Sequence, residues 1–284
     1  MSIDRYAVIG EHIGYSRSPQ IHTLFAQQTA QAMSYGLIDV APSALAAAIR
    51  DFLAGGGRGL NVTVPHKLAA MSLADALTPR AQRAGALNTL AVQADGSVLG
   101  DNTDGAGLLR DLSINLKFRL TGARLLLIGA GGAARGVLAP LLGAGPKSLL
   151  ISNRTAARAQ QLAAQFADLG PVRAAGGEPE SSGTDNAAAA FDLIINTTPA
   201  NVQGAPPALA ASTVSAHTLC YDLSYGDTDS AFIRWTRSAG AERAVNGLGM
   251  LVEQAAESFL LWRGVRPATA PVLATLAQVL NEPR

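Results

Sequence analysis

Residues 125–136 read Leu-Leu-Leu-Ile-Gly-Ala-Gly-Gly-Ala-Ala-Arg-Gly, an apolar run that ends in a glycine-rich turn and continues into a helical pattern. Gly129, Gly131 and Ala134 have the spacing of a nucleotide-binding turn. The first glycine permits the turn, the second lets backbone approach a pyrophosphate, and the third small residue lets helix pack on strand. Because a predicted strand precedes the turn and a predicted helix follows it, the motif indicates a dinucleotide site. The predicted contacts are Gly129, Ala130, Gly131, Gly132 and Ala133.

Strand-like and helical stretches alternate on both sides of this turn. Such alternation predicts βαβ units and largely parallel sheets. The expected fold class is therefore α/β, with a second strand-helix series that starts at Arg124. Residues 250–264 have apolar side chains at helical spacing and predict an amphipathic helix. Strands are predicted at residues 6–10, 35–40, 60–64, 125–128, 148–152, 191–196 and 218–222.

The end of the strand after the glycine turn indicates which dinucleotide is bound. A carboxylate there would bind a ribose 2′-hydroxyl and repel a 2′-phosphate, but residues 151–158, Ile-Ser-Asn-Arg-Thr-Ala-Ala-Arg, contain no acid. Guanidinium, amide and hydroxyl donors stand there instead, which favours NADP over NAD. Arg158 is almost as readily explained as a solvated helix residue. We expect Thr197, at the end of a later strand, to border the nicotinamide half. The candidate donors are Asn153, Arg154, Thr155 and Arg158.

Length and composition indicate a globular protein of two domains. The chain has 284 residues, of which 48% are hydrophobic and 15% charged, and its formal net charge is +1. This length exceeds that of one typical domain. Because the basic residues are scattered, we expect neither nucleic acid nor an anionic membrane as a partner. The expected partner is a small molecule held by local groups.

The cysteine and histidine content of the chain indicates its redox compartment and whether it binds a metal. Cys220 is the single cysteine, so an intrachain disulfide is excluded and a cytoplasmic location is expected. The histidines lack the spacing of a zinc site, so no metal is predicted. We expect no targeting segment, and no apolar run approaches the roughly 18 residues of a membrane span.

Two turns carry a candidate catalytic pair. Residues 59–67, Gly-Leu-Asn-Val-Thr-Val-Pro-His-Lys, present Asn61, Thr63 and Lys67 together just past a strand end. A second tight turn, Gly-Asp-Asn-Thr-Asp-Gly, places Asp104 ahead of a helix. A positioned ammonium and carboxylate suit proton transfer to a carbonyl or hydroxyl oxygen. Taken singly, Lys67 is as readily explained as a surface lysine, and Asp104 as a helix-capping acid, as either is by catalysis.

A further turn, Ser16-Arg-Ser-Pro19, offers two hydroxyls that suit a carboxylate, although the same pattern also simply starts helices. Taken with the two catalytic turns and the nucleotide turn, it resembles the shikimate dehydrogenase family. The match follows the motif order along nearly the whole chain. The other motifs that carry it are Gly85-Ala-Leu-Asn-Thr89, Asn153-Arg-Thr155 and Asn246-Gly-Leu-Gly-Met-Leu-Val-Glu-Gln-Ala255.

The resemblance implies NADPH-dependent reduction of 3-dehydroshikimate to shikimate, a step of chorismate and aromatic amino-acid biosynthesis. It implies a discontinuous catalytic domain, residues 1–103 plus 247–284, and a Rossmann NADP-binding domain, residues 104–246. Because substrate and nucleotide groups would then lie on two domains, we expect a hinge motion that closes a cleft. The resemblance leaves monomer and homodimer both open.

The resemblance also implies roles for single residues. Lys67 and Asp104 would form the catalytic pair, with either one as the formal acid. Ser16 and Ser18 would bind the substrate carboxylate, and Tyr225 would reach the substrate from the nucleotide domain. The expected contacts to ring hydroxyls are Thr63, Asn88 and Gln254. Leu223 and Gly247 would border the cofactor.

The chain departs from the family pattern at three places. Residues 11–16, Glu-His-Ile-Gly-Tyr-Ser, replace the usual Asn-Pro-Ile-x-His-Ser, and the stretch after Tyr225 lacks the usual Thr-Pro-Phe. Asn246 replaces the usual acid before Gly-Leu-Gly. These changes leave the catalytic pair intact but open two alternatives. One is a quinate/shikimate dehydrogenase, and the other is a non-catalytic sensor of shikimate-like acids.

Overall fold

Two compact units make up the part of the protein that the computed structural model describes, which is residues 3–175, 190–198, 209–226 and 228–281. The first unit lies within Met1–Arg110 and Met250–Val279, and the second lies within Asp111–Gly249 and Leu280–Arg284. The first unit is therefore built from two separate stretches of chain.

The first unit contains a mixed sheet. Its strands are β1 (Asp4–Gly10), β2 (Met33–Asp39), β3 (Gly57–Val62), β4 (Ala76–Leu77), β5 (Thr89–Val92) and β6 (Val98–Asp101), in the spatial order β2-β1-β3-β5-β6-β4. β1 pairs parallel with both β2 and β3, whereas β5 pairs antiparallel with β3 and β6. The sequence analysis missed the β5–β6 hairpin. Its signal is the Asp95-Gly96 dipeptide, since Gly96 adopts the positive φ of 87° that such a turn favours.

Helices cover this sheet and close its core. They are α1 (Ser18–Gln28), α2 (Leu45–Ala54), α3 (Pro79–Ala84), α4 (Asp104–Arg110), the greater part of α8 (Leu248–Arg263), and α9 (Thr269–Asn281). The boundaries of α3 follow from local chemistry, because the Thr78 hydroxyl accepts from Ala81 N and Gly85 ends the helix in the left-handed conformation. Core side chains such as Ile9, Leu60 and Leu90 are fully buried. Each contributes roughly 1.5 to 3 kcal/mol.

The second unit contains a parallel sheet with helices α5 (Gly132–Gly143), α6 (Ala156–Phe166) and α7 (Ala231–Ser238). Its strands are β7 (Arg124–Ile128), β8 (Ser148–Ser152), β9 (Val172–Ala174), β10 (Leu193–Asn196), β11 (Leu219–Asp222) and β12 (Arg243–Val245), in the order β12-β11-β10-β7-β8-β9. Because the central strands are buried, their sequences are almost entirely apolar. Cys220 lies inside β11 as a free thiol, and burial raises its pKa to about 12.

The predicted α/β class with mostly parallel sheets is confirmed. Within the described part of the chain, the strand pairings of the second unit are all parallel, and the antiparallel pairs of the first unit are confined to β5 and its neighbours. Among the described residues, no helix combines the length and the apolar composition needed to cross a bilayer.

Candidate active site

The predicted catalytic pair is in direct contact in the first unit. β3 ends at Val62, a short turn follows in which His66 N donates to Thr63 O, and Lys67 comes next. Asp104 is the first residue of α4. The Lys67 ammonium donates to Asp104 Oδ2, and the two side chains are only 12% and 5% exposed. The contact spans 37 residues of sequence, so the fold creates this ion pair.

The Asp104 carboxylate is fixed at both of its oxygens. While Lys67 occupies Oδ2, Asn88 Nδ2 donates to Oδ1 at 2.9 Å. The backbone N–H of Asp104 donates to Asn102 Oδ1 at 3.1 Å, which fixes the start of α4. A carboxylate held in this way keeps one orientation towards the lysine.

Asn88 and Gln254 are brought together beside this pair. Asn88 Nδ2 lies 3.1 Å from Gln254 Oε1, although the two residues are 166 positions apart. Asn88 follows α3 and precedes β5, and Gln254 lies on α8. A close helix contact makes this possible, because a Cβ atom at Gly107 of α4 would lie 2.6 Å from Gln254 N. Both amides therefore border the Lys67–Asp104 pair.

The segment that leads into the serine turn packs against Thr63 and Val64. Ser16 is half-buried and Ser18 is buried, and Ser18 N donates to Ser16 Oγ at 3.3 Å. Glu11 N donates to Val64 O at 3.1 Å, and a Cβ atom at Gly10 would lie 2.6 Å from Thr63 Cγ2. No hydrogen bond joins either serine to Lys67 or Asp104 among the described residues.

The unusual residues before the serines have a structural partner. His12 N and Ile13 N donate to the two oxygens of Asp39, at 2.8 and 3.2 Å. Asp39 ends β2, so its carboxylate ties the serine turn to the sheet. At the first departure from the family pattern, Asp39 thus holds the turn in place.

The expectation that the strand end presents Asn61 together with Thr63 and Lys67 is wrong for Asn61. Its side chain is 6% exposed and faces the interior. Tyr35 Oη donates to Asn61 Oδ1 at 2.7 Å, and Asn61 Nδ2 donates to Ser258 Oγ at 2.9 Å. Asn61 lies within β3, where Tyr35 and Ser258 hold its side chain, whereas Thr63 and Lys67 follow the end of the strand.

In the second unit, the glycine turn has the geometry that its sequence predicts. Gly129 follows β7 with a φ of 111°, and a Cβ atom there would lie 2.4 Å from Thr197 Oγ1. Thr197 Oγ1 in turn donates to Ile128 O at 2.8 Å. A Cβ atom at Gly131 would meet no described atom within 4 Å, so the N-terminus of α5 is open to a ligand. A pyrophosphate fits such a helix N-terminus.

The predicted 2′-phosphate donors follow the end of β8. Asn153 Nδ2 donates to Thr155 O at 2.9 Å, which orders this turn. Arg154, Thr155 and Arg158 are exposed, so all three are accessible to an anionic ligand.

The remaining predicted cofactor residues lie at neighbouring strand ends. Leu223 N donates to Asn196 O at 2.9 Å, at the ends of β11 and β10. Gly247 packs so closely that a Cβ atom there would lie 2.3 Å from Leu223 O. Tyr225 lies two residues after Leu223 in the same unit, and its side chain is half-buried. At the third departure from the family pattern, Asn246 Oδ1 accepts from Leu248 N at 3.1 Å and caps α8.

Three buried hydroxyls beside Asn88 and Gln254 are missing from the sequence-based set: Thr89, Thr103 and Ser258. Thr103 directly precedes Asp104, and Ser258 lies one helical turn after Gln254. These positions are the only signal that the sequence offers for them. Among the described residues, no group of three or more His, Cys, Asp or Glu side chains is arranged to hold a metal ion.

Comparison with known proteins identifies relatives of both units. Residues 8–90 match the family model for the shikimate dehydrogenase substrate binding domain. Residues 112–201 match the model for shikimate / quinate 5-dehydrogenase, and residues 247–277 match that for the shikimate 5'-dehydrogenase C-terminal domain. Together these matches extend over most of the chain.

Curated relatives and solved structures agree with these matches. The shikimate dehydrogenase (NADP(+)) of Aeromonas hydrophila is 52% identical over 279 residues, which cover 98% of this chain and 99% of that protein. That of Thioalkalivibrio sulfidiphilus is 54% identical over 277 residues, with 98% and 99% covered. The Thermus thermophilus shikimate 5-dehydrogenase structure in complex with NADP(H) and shikimate is similar at a TM-score of 0.82 and 31% identity, covering 97% and 99% of the two chains.

Proposed function

Because this chain belongs to the shikimate dehydrogenase family, we propose that it catalyses the reversible NADPH-dependent reduction of 3-dehydroshikimate to shikimate at the Lys67–Asp104 pair. It is thus an NADP-dependent oxidoreductase of aromatic amino-acid biosynthesis. The observation that carries the assignment of the catalytic site is the buried contact between the Lys67 ammonium and Asp104 Oδ2.

The chemistry follows from this pair. Reduction adds a hydride, which the reduced nicotinamide supplies when bound, to the ketone carbon, so negative charge grows on the ketone oxygen. The Lys67 ammonium stabilises this charge, and the pair donates the proton that completes the hydroxyl. Asp104 holds Lys67 in place and accepts from Asn88 Nδ2 on its other oxygen. Removing either catalytic group costs about 10²- to 10⁴-fold in rate.

The substrate contacts extend outward from the pair. Ser16 and Ser18 bind the substrate carboxylate with hydroxyls and so need no full positive charge. Thr63, beside the serine turn, and the amides of Asn88 and Gln254 contact ring hydroxyls, and Tyr225 is assigned to the substrate as well. The supporting observations are the close packing of Gly10, before the serine turn, against Thr63 and the 3.1 Å contact between the two amides.

The cofactor contacts lie in the second unit. The glycine turn and the α5 N-terminus hold the pyrophosphate. Arg154 and Arg158, with Asn153 and Thr155, bind the 2′-phosphate, which an acid at this position would repel. The residues assigned to the turn and to the nicotinamide half are Gly129, Ala130, Gly131, Gly132, Ala133, Thr197, Leu223 and Gly247.

Domain roles, assembly and location follow as parts of the same proposal. The first unit is assigned to the substrate and the second to NADP. The bounds that the resemblance implies, residues 1–103 with 247–284 and residues 104–246, differ from those of the units at residues 104–110, 247–249 and 280–284. A homodimer stays a prediction that sedimentation velocity would test. The reduced, buried Cys220 is compatible with the cytoplasm, and cell fractionation would test that location.

Turnover of the purified protein tests the proposal. We would follow reduced-nicotinamide absorbance with shikimate or quinate, each with NADP⁺ or NAD⁺. We expect fast turnover with shikimate and NADP⁺, and a loss of about 10²- to 10⁴-fold in kcat in Lys67→Ala. Lys147→Ala, which removes an exposed lysine, is the matched control and should match the wild type. Preference for quinate or NAD⁺ would assign the chain to the catabolic relatives, and no turnover with any pair would favour a binding role.

A further inference from the structure

Thr103 lies at the centre of a buried hydrogen-bond group, and the proposed reaction gives Thr103 itself no role. We define the Thr103 cluster as Asn88, Thr89, Thr103, Gln254 and Ser258. The Thr103 side chain is fully buried, so it does not reach a ligand. Its hydroxyl oxygen nevertheless lies within hydrogen-bond distance of both amides that are proposed to bind the substrate, Asn88 and Gln254.

A count of protons assigns the direction of these bonds. Asn88 Nδ2 has two protons, and its two nearest acceptors are Thr103 Oγ1 at 2.8 Å and Asp104 Oδ1 at 2.9 Å. Asn88 Oδ1 already accepts from Thr103 N at 2.8 Å and from Thr89 Oγ1 at 2.9 Å. Two further acceptors lie near the Thr103 hydroxyl, Gln254 Oε1 at 3.3 Å and Ser258 Oγ at 3.2 Å. We assign the hydroxyl proton to Gln254 Oε1, because Ser258 Oγ already accepts from Asn61 Nδ2 at 2.9 Å.

This assignment fixes which end of the Gln254 amide faces outward. Oε1 points inward to Thr103 and Asn88, and one Nε2 proton is donated to Leu251 O at 2.9 Å. The second Nε2 proton makes no hydrogen bond within the described residues. Gln254 thus presents a donor, which suits a hydroxyl oxygen of a ligand.

Ser258, on α8, also contacts Thr103. Its Oγ lies 3.2 Å from Thr103 Oγ1 and 2.9 Å from Thr89 Oγ1, and it bonds to Gln254 O at 3.2 Å. The Ser258 hydroxyl therefore ties α8 to the Thr103 cluster one turn beyond Gln254.

We propose that Thr103 is a positioning residue for substrate recognition, because its hydroxyl holds the Gln254 amide with Nε2 outward and Asn88 against Asp104. This inference rests on the proposed function. Loss of the hydroxyl removes one of the two donors near Gln254 Oε1, and it also removes the oxygen that accepts from Asn88 Nδ2, so Asn88 alone then holds the amide oxygen. The amide then loses its fixed orientation, and substrate binding weakens.

Thr103→Val and Thr103→Ser test the proposal, since the first removes the hydroxyl at nearly constant volume and the second keeps it. For Thr103→Val we expect the KM for shikimate to rise about 10-fold, the effect of about one neutral hydrogen bond, with the KM for NADP⁺ unchanged. Thr103→Ser should return the KM for shikimate to within about 2-fold of the wild type. A shikimate KM that is unchanged in Thr103→Val, or equally raised in Thr103→Ser, would overturn the proposal.

Thr236→Val is the matched control for the loss of a buried hydroxyl. Thr236 is fully buried on α7 and its hydroxyl donates to Ile233 O at 3.0 Å, far in sequence from the Thr103 cluster. It should lower the melting temperature without changing the KM for shikimate. If Thr236→Val raised the KM as much as Thr103→Val, the effect would be a general loss of stability and the proposal would fail.

Two further measurements keep the test decisive. Ser258→Ala should raise the KM for shikimate in the same direction as Thr103→Val, by a smaller factor, and it decides the case if Thr103→Val does not fold. A crystal structure of Thr103→Val, or of Ser258→Ala in that case, should show the Gln254 amide shifted or rotated from its wild-type position. An unchanged amide would overturn the positioning role. If the wild type does not turn over shikimate, the proposed function fails, and this structure alone decides whether Thr103 orients Gln254.

Discussion

Single side chains set the chemistry of the site. The sequence was most informative about side chains whose position depends on the residues next to them in the chain. Lys67 and Asp104 each follow a strand within a short turn, so their types and spacing predicted a catalytic pair. The structure adds the reason why the pair is rigid, which is the contact of Asn88 with the second carboxylate oxygen. Asn61 shows the limit of such reasoning, because its orientation depends on Tyr35 and Ser258, which are distant in sequence.

His22 makes the stability of the first unit depend on pH. Its ring is fully buried, stacks on Tyr35 at 4.1 Å, and makes no hydrogen bond within the described residues. Burial lowers its pKa to about 3, and the nearby Asn61 opposes this only in part. The unfolded chain, with a histidine pKa near 6.5, therefore binds a proton that the folded chain does not. Stability is full above about pH 6.5 and falls as the pH drops from there towards 3.

We expect the free energy of unfolding, measured by urea titration, to fall by about 2 kcal/mol between pH 7 and pH 5 because of this group. His22→Phe, which keeps a flat aromatic side chain, should remove this part of the pH dependence. His217→Gln, at an exposed position, should leave it unchanged. A wild-type and a His22→Phe protein with the same pH slope would contradict this account.

At the scale of elements, the junction of β7 and α5 is the part of the cofactor site that the sequence described best. A glycine turn between a strand and a helix is a local motif, so spacing alone was informative. What the sequence did not show is the role of Thr197, which lies 68 residues beyond Gly129 and packs against it. The β5–β6 hairpin was missed because short strands joined by a tight turn carry little periodicity.

Gly129→Ala should abolish NADP⁺ binding. The φ of 111° is strained for any residue with a side chain, at a cost of roughly 1 to 3 kcal/mol, and the new Cβ atom would lie 2.4 Å from Thr197 Oγ1. Isothermal titration calorimetry with NADP⁺ measures the loss. Gly143→Ala is the matched control, since Gly143 ends α5 with no neighbour within 4 Å of its Cβ position. It should bind NADP⁺ normally and be up to about 1 kcal/mol more stable. Normal binding by Gly129→Ala would contradict the proposed site.

For the whole molecule, charge and composition limit the ligands without identifying them. The formal net charge of +1 supplies no long-range attraction for anions, so each anionic ligand depends on local donors. Each unit carries its own set of such donors: the serine turn and Lys67 in the first, the α5 N-terminus and Arg154 in the second. Ligand binding to either set should therefore raise the stability of the protein.

NADP⁺ should raise the melting temperature of the protein more than NAD⁺ does at the same concentration. At 100 times its Kd a ligand adds about 2.7 kcal/mol, which corresponds to a shift of about 5 to 10 °C for a domain of this size. Arg154→Ala should remove most of the difference between the two cofactors, because it removes a donor to the 2′-phosphate. Arg119→Ala, at another exposed position of the second unit, should preserve it. Equal shifts with both cofactors would argue against the assigned 2′-phosphate site.

The sequence by itself determined the α/β class, the nucleotide turn and the absence of an acid after β8, and it predicted Lys67 and Asp104 as candidates, because each of these features depends on residues close together in the chain. Only the tertiary structure decided that Asn88 meets Gln254 across 166 residues, that Thr103 lies between them, and that Asp39 holds the serine turn. The physical reason is that a buried donor or acceptor must find a partner wherever packing brings one. Local sequence patterns carry no information about such distant partners.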